Sequence, residues 1–236
     1  MSSPNISIVF SVFDELRQGL LKESLDKLSK LSDVEIIVVD GGSTDGTLDL
    51  LENYSIKLIR SMSTSRAERL NIGIAQASND LIILHHPRSV IDTAGIEYLQ
   101  NNYESITWGG FYHRFIEEHP LLRFTSWYSN EVRGKIRSIV YLDHCIFFKK
   151  SLLSHDPIVP EIFIFEDTAL SEKLNQLYPA QILPYVSRTS AIRFHKNGLF
   201  RQSILNLVMK GCYLLKVSDQ SMNRVYEKGL GLNTRY

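Results

Sequence analysis

An excess of charge of either sign is missing from this chain. Lys+Arg number 26 and Asp+Glu number 26, so the formal net charge is zero at pH 7. That balance excludes a broad basic field for wrapping nucleic acid, and no nucleic-acid partner is expected. It leaves room for a local anion site. Cysteine is nearly absent: Cys145 and Cys212 make neither a disulfide framework nor a Cys-based zinc site. Buried thiols in a reducing compartment are the expectation. Long apolar runs are missing too, and none nears the about 20 residues a spanning helix needs. Residues 1–5 lack the basic stretch of a secretory leader and run straight into a strand pattern. The expected location is therefore the cytoplasm, with contact at the inner face of a membrane left open. Repeats, low-complexity tracts and evident linkers are also absent.

What is present is ordinary globular material. The 236 residues are 44% apolar and 22% charged. A chain of that length buries enough surface on folding to need no covalent staples. Strand patterns at 6–12, 34–39, 56–59 and 81–84 alternate with helical spacing at 16–31, 47–54 and 65–77. The run 34–39 is apolar apart from Glu35, as expected of a strand buried on both faces. This βαβαβαβ order predicts a parallel, doubly wound sheet with right-handed crossovers. Ligands on such sheets sit at the carboxyl ends of the strands. Later the pattern is mixed: extended at 106–115, 139–149 and 182–186, helical at 121–132, 167–177 and 199–217. Independent domains are not expected.

The sharpest local signal is Val38-Val39-Asp40-Gly41-Gly42-Ser43-Thr44-Asp45-Gly46-Thr47. A buried strand ends in a carboxylate, and a turn follows whose glycines are free to take positive φ. Thr44 or Asp45 can cap the next helix and turn its N-terminal amides toward the site. Asp40, held at a strand end, can accept hydrogen bonds from a base or a ribose. The stretch is neither a Gly-Lys-Ser phosphate loop nor GxGxxG. Taken alone, it reads as a tight turn with a helix cap.

With the opening strand and Asp14-Glu15, this loop resembles the nucleotide-sugar-binding half of family 2 glycosyltransferases of the GT-A fold. The resemblance continues in order along nearly the whole chain. Ser65-Arg66-Ala67-Glu68-Arg69-Leu70-Asn71-Ile72-Gly73 is similar to the family's Gly-Arg-Ala-x-Gln-x-Asn-x-Gly helix, departing at Ser65 and Arg69. Gly109-Gly110-Phe111 resembles a Gly-Gly-x-Phe strand, and Leu142-Asp143-His144 a Gly-Asp-Gln segment of which only the Asp is kept. Glu166-Asp167 with Leu170 resembles the Glu-Asp motif that opens the acceptor-side helix. Thr189-Ser190-Ala191-Ile192-Arg193 is similar to the Thr-Ser-x-Arg-Arg stretch after it.

The resemblance implies a GT-A-like α/β fold. The sheet is mostly parallel, doubly wound and flanked by helices, with a mixed acceptor-side half and a C-terminal helix. One domain over 1–236 is implied: a nucleotide-sugar half at about 1–104, an acceptor half at about 105–198, and a helix and tail at about 199–236. An inverting transfer follows, from a nucleotide-diphospho-sugar, UDP-linked, to a hydroxyl of a glycan or lipid-linked acceptor. The implied donor contacts are Asp40, Gly41, Ser43, Asp45, Arg66, Asn71, Arg88 and Asp143. Asp167, with Glu166 beside it, is the implied general base.

The pattern breaks at the end of the fourth strand. Where the family writes the metal motif Asp-x-Asp, or His-x-Asp in one subgroup, this chain has His85-His86-Pro87-Arg88. Pro87 stands in the place of the ligand Asp and offers no side-chain ligand to Mg²⁺ or Mn²⁺. The leaving diphosphate gains negative charge as the glycosidic bond breaks, so a positive group must stand by. Three readings are open. A divalent cation is held by His85 or His86, aided by substrate phosphates and Asp143, with Mn²⁺ the better match to histidine. Alternatively Arg88, Arg66 or Arg69 replaces the metal. In the third reading the site binds without transfer, as a catalytically inactive protein of the same fold that holds nucleotide or glycan.

Plainer roles stand beside these. One of the two histidines is packed at a strand end; Asp167 is a helix N-cap; Asp143 belongs to a surface turn. Arg193, His195 and Lys196 form a solvated loop, or a lid over the diphosphate. Trp108, Trp127 and Tyr128 are expected in the core. The helix 199–217 packs on the core, forms a dimer face, or lies on a membrane surface. The tail 218–236 is polar, and its last residues, with Gly229 and Gly231, are expected to be loosely held. A nucleotidyltransferase needs a Gly-rich, Lys/Arg-bearing loop after the first strand, which Ser11-Val12-Phe13-Asp14-Glu15 does not supply.

Overall fold

The computed structural model describes residues 6–153 and 156–228. The leader-free reading of residues 1–5 and the loose end expected at 229–236 lie outside the described residues.

β1 (Ile6–Val12) is buried at every position, and its β-branched side chains suit an extended backbone. A left-handed turn at Gly19, with φ 67, separates a short 3-10 turn from α1 (Leu20–Leu28), so the helix expected over 16–31 begins later and ends earlier. β2 (Val34–Asp40), α2 (Thr47–Leu51), β3 (Lys57–Arg60), α3 (Arg66–Ala75) and β4 (Leu81–His85) follow in the expected order. β5 (Ser89–Ile91) was not foreseen, being too short for any period to show. α4 (Thr93–Asn101) is capped by Asp92, which accepts from the Ala94 amide. After β6 (Trp108–Phe115), α5 (Pro120–Trp127) runs into a π-helical segment, Tyr128–Ile136, so the helix expected over 121–132 is longer and of two kinds. The extended run expected at 139–149 is a strand only at β7 (Ile146–Lys149), because Leu142–His144 form a 3-10 turn and Cys145 takes φ 51. α6 (Glu166–Asn175), β8 (Gln181–Thr189), α7 (Ile192–Asn197), α8 (Leu199–Leu214) and α9 (Asp219–Glu227) complete the order, α9 forming within the polar tail.

One sheet of eight strands runs β3-β2-β1-β4-β7-β6-β8-β5. β3, β2, β1 and β4 are parallel. β7 is antiparallel to β4 and β6, β6 and β8 are parallel, and β5 is antiparallel to β8. The first half is thus the doubly wound parallel sheet of the sequence pattern, and the second half is mixed. An apolar cluster containing Phe10, Ile83 and Phe147 packs α1 and α4 on one face through Leu21, Leu25, Ile96 and Leu99. A second cluster, with Val9, Leu84 and Trp108, seats α3 and α6 on the other face through Leu70, Ile74, Leu170 and Leu174. α3 approaches β1 so closely that a Cβ at Gly73 would lie 2.3 Å from Val9 Cγ1. Trp108 is core as expected, whereas Trp127 is half exposed. Among the described residues no helix is long and apolar enough to cross a membrane.

Strand order reverses between β1 and β4, so the crevice beyond their carboxyl ends is where a sheet of this kind takes ligands.

Candidate functional site

The Asp40 loop is built to hold itself. The Asp40 carboxylate, almost fully buried, accepts from the Gly42 amide at 2.7 Å, the Ser43 amide at 3.0 Å and Ser43 Oγ at 2.5 Å. Ser43 Oγ in turn accepts from the Asp14 amide at 2.9 Å. Asp45 accepts from the Leu16 and Thr47 amides at 3.1 Å. Burial pushes the Asp45 acid up, but hydrogen bonds from Thr47 and Leu16 outweigh it and hold it below the usual range. These carboxylates clamp the loop after β2 to the loop after β1. Gly41 leaves room for a side chain from α3: a Cβ there would meet Arg69 Nη1 at 2.9 Å.

At the switch point itself, side chains fill the crevice. Arg88 is bound bidentately to Glu15 at 2.7 and 2.8 Å, with both groups buried. Arg69 is also buried, giving Nε to Ser11 Oγ at 2.9 Å and Nη1 to the Ser63 carbonyl at 2.8 Å. Burial and the adjacent Arg66 push its pKa down to about 10, so it stays charged at neutral pH. Between Phe13, Glu15, Arg66, Arg69, His86 and Pro87 only about 10 Å³ remains.

Three expected contacts are placed otherwise. His85 stacks on Phe10 with ring centroids 4.4 Å apart, on the α1/α4 face, and its Nδ1–H donates to the His86 carbonyl at 2.9 Å. Burial drives its pKa down to about 3, so it is a neutral core histidine. Asn71 spends its amide on the Val159 backbone, donating to the carbonyl at 2.9 Å and accepting from the amide at 2.8 Å. Glu166 is buried and paired with the Arg66 guanidinium across 100 residues of chain.

Beside the crevice lies a cavity of about 220 Å³, walled by β6, α5, the π-helical segment, the turn before β7, the start of α6, and α7 and α8. Asp167 lines it from the second position of α6, so the N-cap reading does not hold: Phe165, with φ 66, precedes the helix and no side chain caps it. Asp167 Oδ2 accepts from the Leu142 amide at 3.0 Å and Oδ1 from the Thr168 amide at 2.7 Å. Burial and the neighbouring Glu166 push its pKa up to about 6 against the pull of Arg66.

Asp143 lines the same cavity, with Oδ2 3.5 Å from His113 Nε2. Burial pushes it up but is outweighed by His113, His144 and Arg133, which hold it at about 2. His144 donates from Nδ1 to the Phe111 carbonyl at 2.9 Å, leaving Nε2 to accept from Ser129 Oγ at 2.8 Å. Burial keeps it neutral, near about 3. His86 lines the cavity too; its Nδ1 accepts from the Arg88 amide at 3.2 Å, and burial with Arg88 and Arg66 nearby drives its pKa well down.

Several wall residues were missed as site residues in the sequence. Arg133 lies 3.3 Å above the Tyr141 ring, and Lys210, on α8, is pushed down to about 8 by burial and by Arg133 and Arg137. Arg193 leaves the basic cluster expected to be solvated: it pairs with Glu227 and lies over the Tyr226 ring, while His195 stays exposed and faces Glu117 at 3.2 Å. No short motif marks Arg133 or Lys210; only the Thr-Ser-x-x-Arg193 match pointed here. The wall carries Arg66, Arg88, Arg133, Arg193 and Lys210 beside Asp143 and Asp167; Glu166, Glu15 and Glu227 pair with Arg66, Arg88 and Arg193, so the site is densely charged with both signs in balance. Buried on it without hydrogen-bond partners are His113 Nε2, Arg133 Nε, Asp143 Oδ1 and Arg193 Nη1, as in a site shaped for a polar ligand.

Metal ligands are not gathered here. Among the described residues no group of three or more His, Cys, Asp or Glu could hold a metal ion. His85 is packed away, Pro87 has no donor, and His86 Nδ1 is already engaged. The donor set does not fit Mn²⁺ or Mg²⁺.

No curated protein sequence matches the chain at a significant level. A family model, "Glycosyl transferase family 2", matches residues 7–157. Among solved structures, S. aureus TarS is similar at TM-score 0.60 and 15% identity, over 79% of this chain and 37% of that one. Its residues 1–349 in complex with UDP-GlcNAc give 0.61 and 17%, over 78% and 58%. The mannosyltransferase PcManGT from Pyrobaculum calidifontis, in complex with GDP-Man and Mn²⁺, gives 0.58 and 16%, over 80% and 58%. Glucosyl-3-phosphoglycerate synthase from Mycobacterium tuberculosis, with Mn²⁺, UDP and glucosyl-3-phosphoglycerate, gives 0.59 and 19%, over 88% and 80%. The chain spans 37% of TarS and 58% of its residues 1–349 in the UDP-GlcNAc complex, and at these identities the likeness is one of fold.

Proposed function

The chain belongs to glycosyl transferase family 2, and on that premise we propose that it moves a sugar from a UDP-linked donor to an acceptor hydroxyl, with inversion. The observation that carries this reading is Asp167, a buried carboxylate with pKa about 6 on the wall of a cavity lined by charged groups of both signs. Such a base is ionised at neutral pH and still basic enough to take a proton as the reaction proceeds. In the proposed step the acceptor oxygen bonds the anomeric carbon, its proton passes to Asp167, and the bond from that carbon to the diphosphate oxygen breaks.

The donor set argues against a divalent cation in this chain, although two structural neighbours are complexes with Mn²⁺. Arg66, whose field reaches Asp167, is assigned to the charge that grows on the leaving diphosphate. Glu166 orients Arg66 and is not the base. Arg88, tied to Glu15, is a positioning residue that joins the ends of β1 and β4. Asp40, Gly41, Ser43 and Asp45 shape the crevice, and a nucleoside there requires the Arg69 side chain to swing aside. Asp143 is assigned to a sugar hydroxyl, and the acceptor is a glycan or a lipid-linked hydroxyl.

The filled crevice favours a second reading, a protein that binds a sugar or nucleotide in the larger cavity and transfers nothing. UDP release from a panel of UDP-hexoses separates the two. Transfer predicts turnover that falls about 100-fold or more in Asp167→Asn while UDP binding survives. Turnover unchanged in Asp167→Asn would remove the base assignment.

A further inference from the structure

α8 has more apolar surface than its packing uses: Leu205, Met209, Cys212 and Tyr213 join an apolar cluster with Ile164 and Met222, and a second apolar side lies outside it. Its inner side carries Gln202, Asn206 and Lys210, which line the cavity. Gln202 is fully buried and gives Nε2 to Asn206 Oδ1 at 2.7 Å. Its outer side carries Phe200, Ile204, Leu207, Val208 and Leu214, followed by Leu215, all exposed to solvent. Phe200 is 78% exposed, Leu207 71% and Leu215 81%, so these side chains contribute little to the core. They fall within about 120° of the helix circumference, with Gly211 among them. α5 packs against the start of α8, Leu122 and Leu199 sharing one apolar cluster, and it too exposes large apolar side chains, Phe124 and Trp127. An apolar area of this extent marks an interaction surface.

The charge around it selects the partner. From Lys173 to Ser218 the sequence contains no Asp or Glu. Lys196, Arg201 and Lys216 are exposed beside the apolar face. In a two-fold dimer the same patch meets itself, so these cations would face one another with no acid on the segment to pair them. An anionic lipid surface satisfies both features, taking the apolar side chains below its headgroups and the basic ones among them. A helix of 16 residues is too short to span a bilayer, so it lies on one. We propose that α8, with Phe124 and Trp127 of α5, docks this protein on an anionic membrane surface. The helix that meets the lipid is then the helix whose inner side walls the cavity.

Co-sedimentation of the full chain with phosphatidylcholine vesicles, with and without phosphatidylglycerol, tests this. Binding is expected to the phosphatidylglycerol vesicles and to weaken as salt is raised. It should drop about tenfold or more in Ile204→Asp/Leu207→Asp. Because both residues are exposed, the variant's melting temperature should be unchanged, which separates lost docking from lost folding. Arg201→Glu/Lys216→Glu, which leaves the apolar face intact, should lose only the preference for anionic vesicles. A wild type that sediments with neither vesicle overturns the proposal. So does a wild-type dimer in light scattering that Ile204→Asp/Leu207→Asp makes monomeric, since the face would then belong to a second copy.

Discussion

Asp167 concentrates the chemistry of the site in one titration. Its pKa is raised from 3.8 to about 6 by burial and by Glu166, and the ionised form is the one that accepts a proton. UDP release should therefore rise with pH through about 6 and level off above it. The same shift acts on stability with the opposite sign. The folded state holds this proton more tightly than the unfolded chain, so the Asp167 contribution falls as pH rises from 3.8 through about 6. A rate profile that is flat across this range would contradict the base assignment. Arg88 tests a different property. With its guanidinium replaced in Arg88→Met, Glu15 is left buried without its partner, at a cost of about 3–5 kcal/mol. Denaturant unfolding should show that loss, and Glu15→Gln/Arg88→Met should recover much of it. Residue types were a partial guide at this scale. Asp167 was singled out because Glu-Asp stood in the right order on the chain, and it lines the cavity. Asn71 and Asp45 matched the same pattern, yet their polar atoms serve the Val159 backbone and the Leu16 turn. A side chain's identity does not reveal which backbone group it will meet.

Elements were legible where a period had room to repeat. β1, β2 and β4 are largely buried and read as runs rich in β-branched and other apolar residues, and α3 showed its stripe. β5 has three residues and left no pattern. The turn at Leu142–His144 interrupts an apolar run, because Cys145 adopts φ 51, which no sequence period encodes. The contact of α3 with β1 makes a clear prediction at this scale. A methyl at Gly73 would fall 2.3 Å from Val9 Cγ1, so Gly73→Ala should cost about 1–3 kcal/mol by forcing the two elements apart. Gly73→Ala combined with Val9→Ala should relieve part of that clash, which a melting-temperature series would reveal. Additive losses in the pair would remove the steric explanation.

At the scale of the whole molecule, the doubly wound first half was written in the alternation of strands and helices. The cavity was not. Its wall unites His113 from β6, Arg133 from the π-helical segment, Asp167 from α6, Arg193 from α7 and Lys210 from α8. Each sits in a stretch whose local pattern describes only its own element, and tertiary packing alone brings them together. Pro87 stands where the resemblance puts a metal ligand, and among the described residues no group of three or more His, Cys, Asp or Glu gathers to hold an ion. In the proposed transfer the charge of the leaving diphosphate falls to arginine. The most direct test is UDP release from a UDP-hexose in excess EDTA, compared with the same reaction in Mn²⁺. Equal rates in the two conditions, with loss in Arg66→Met, are the predicted result. Activity that vanishes in EDTA and returns with Mn²⁺ would contradict it.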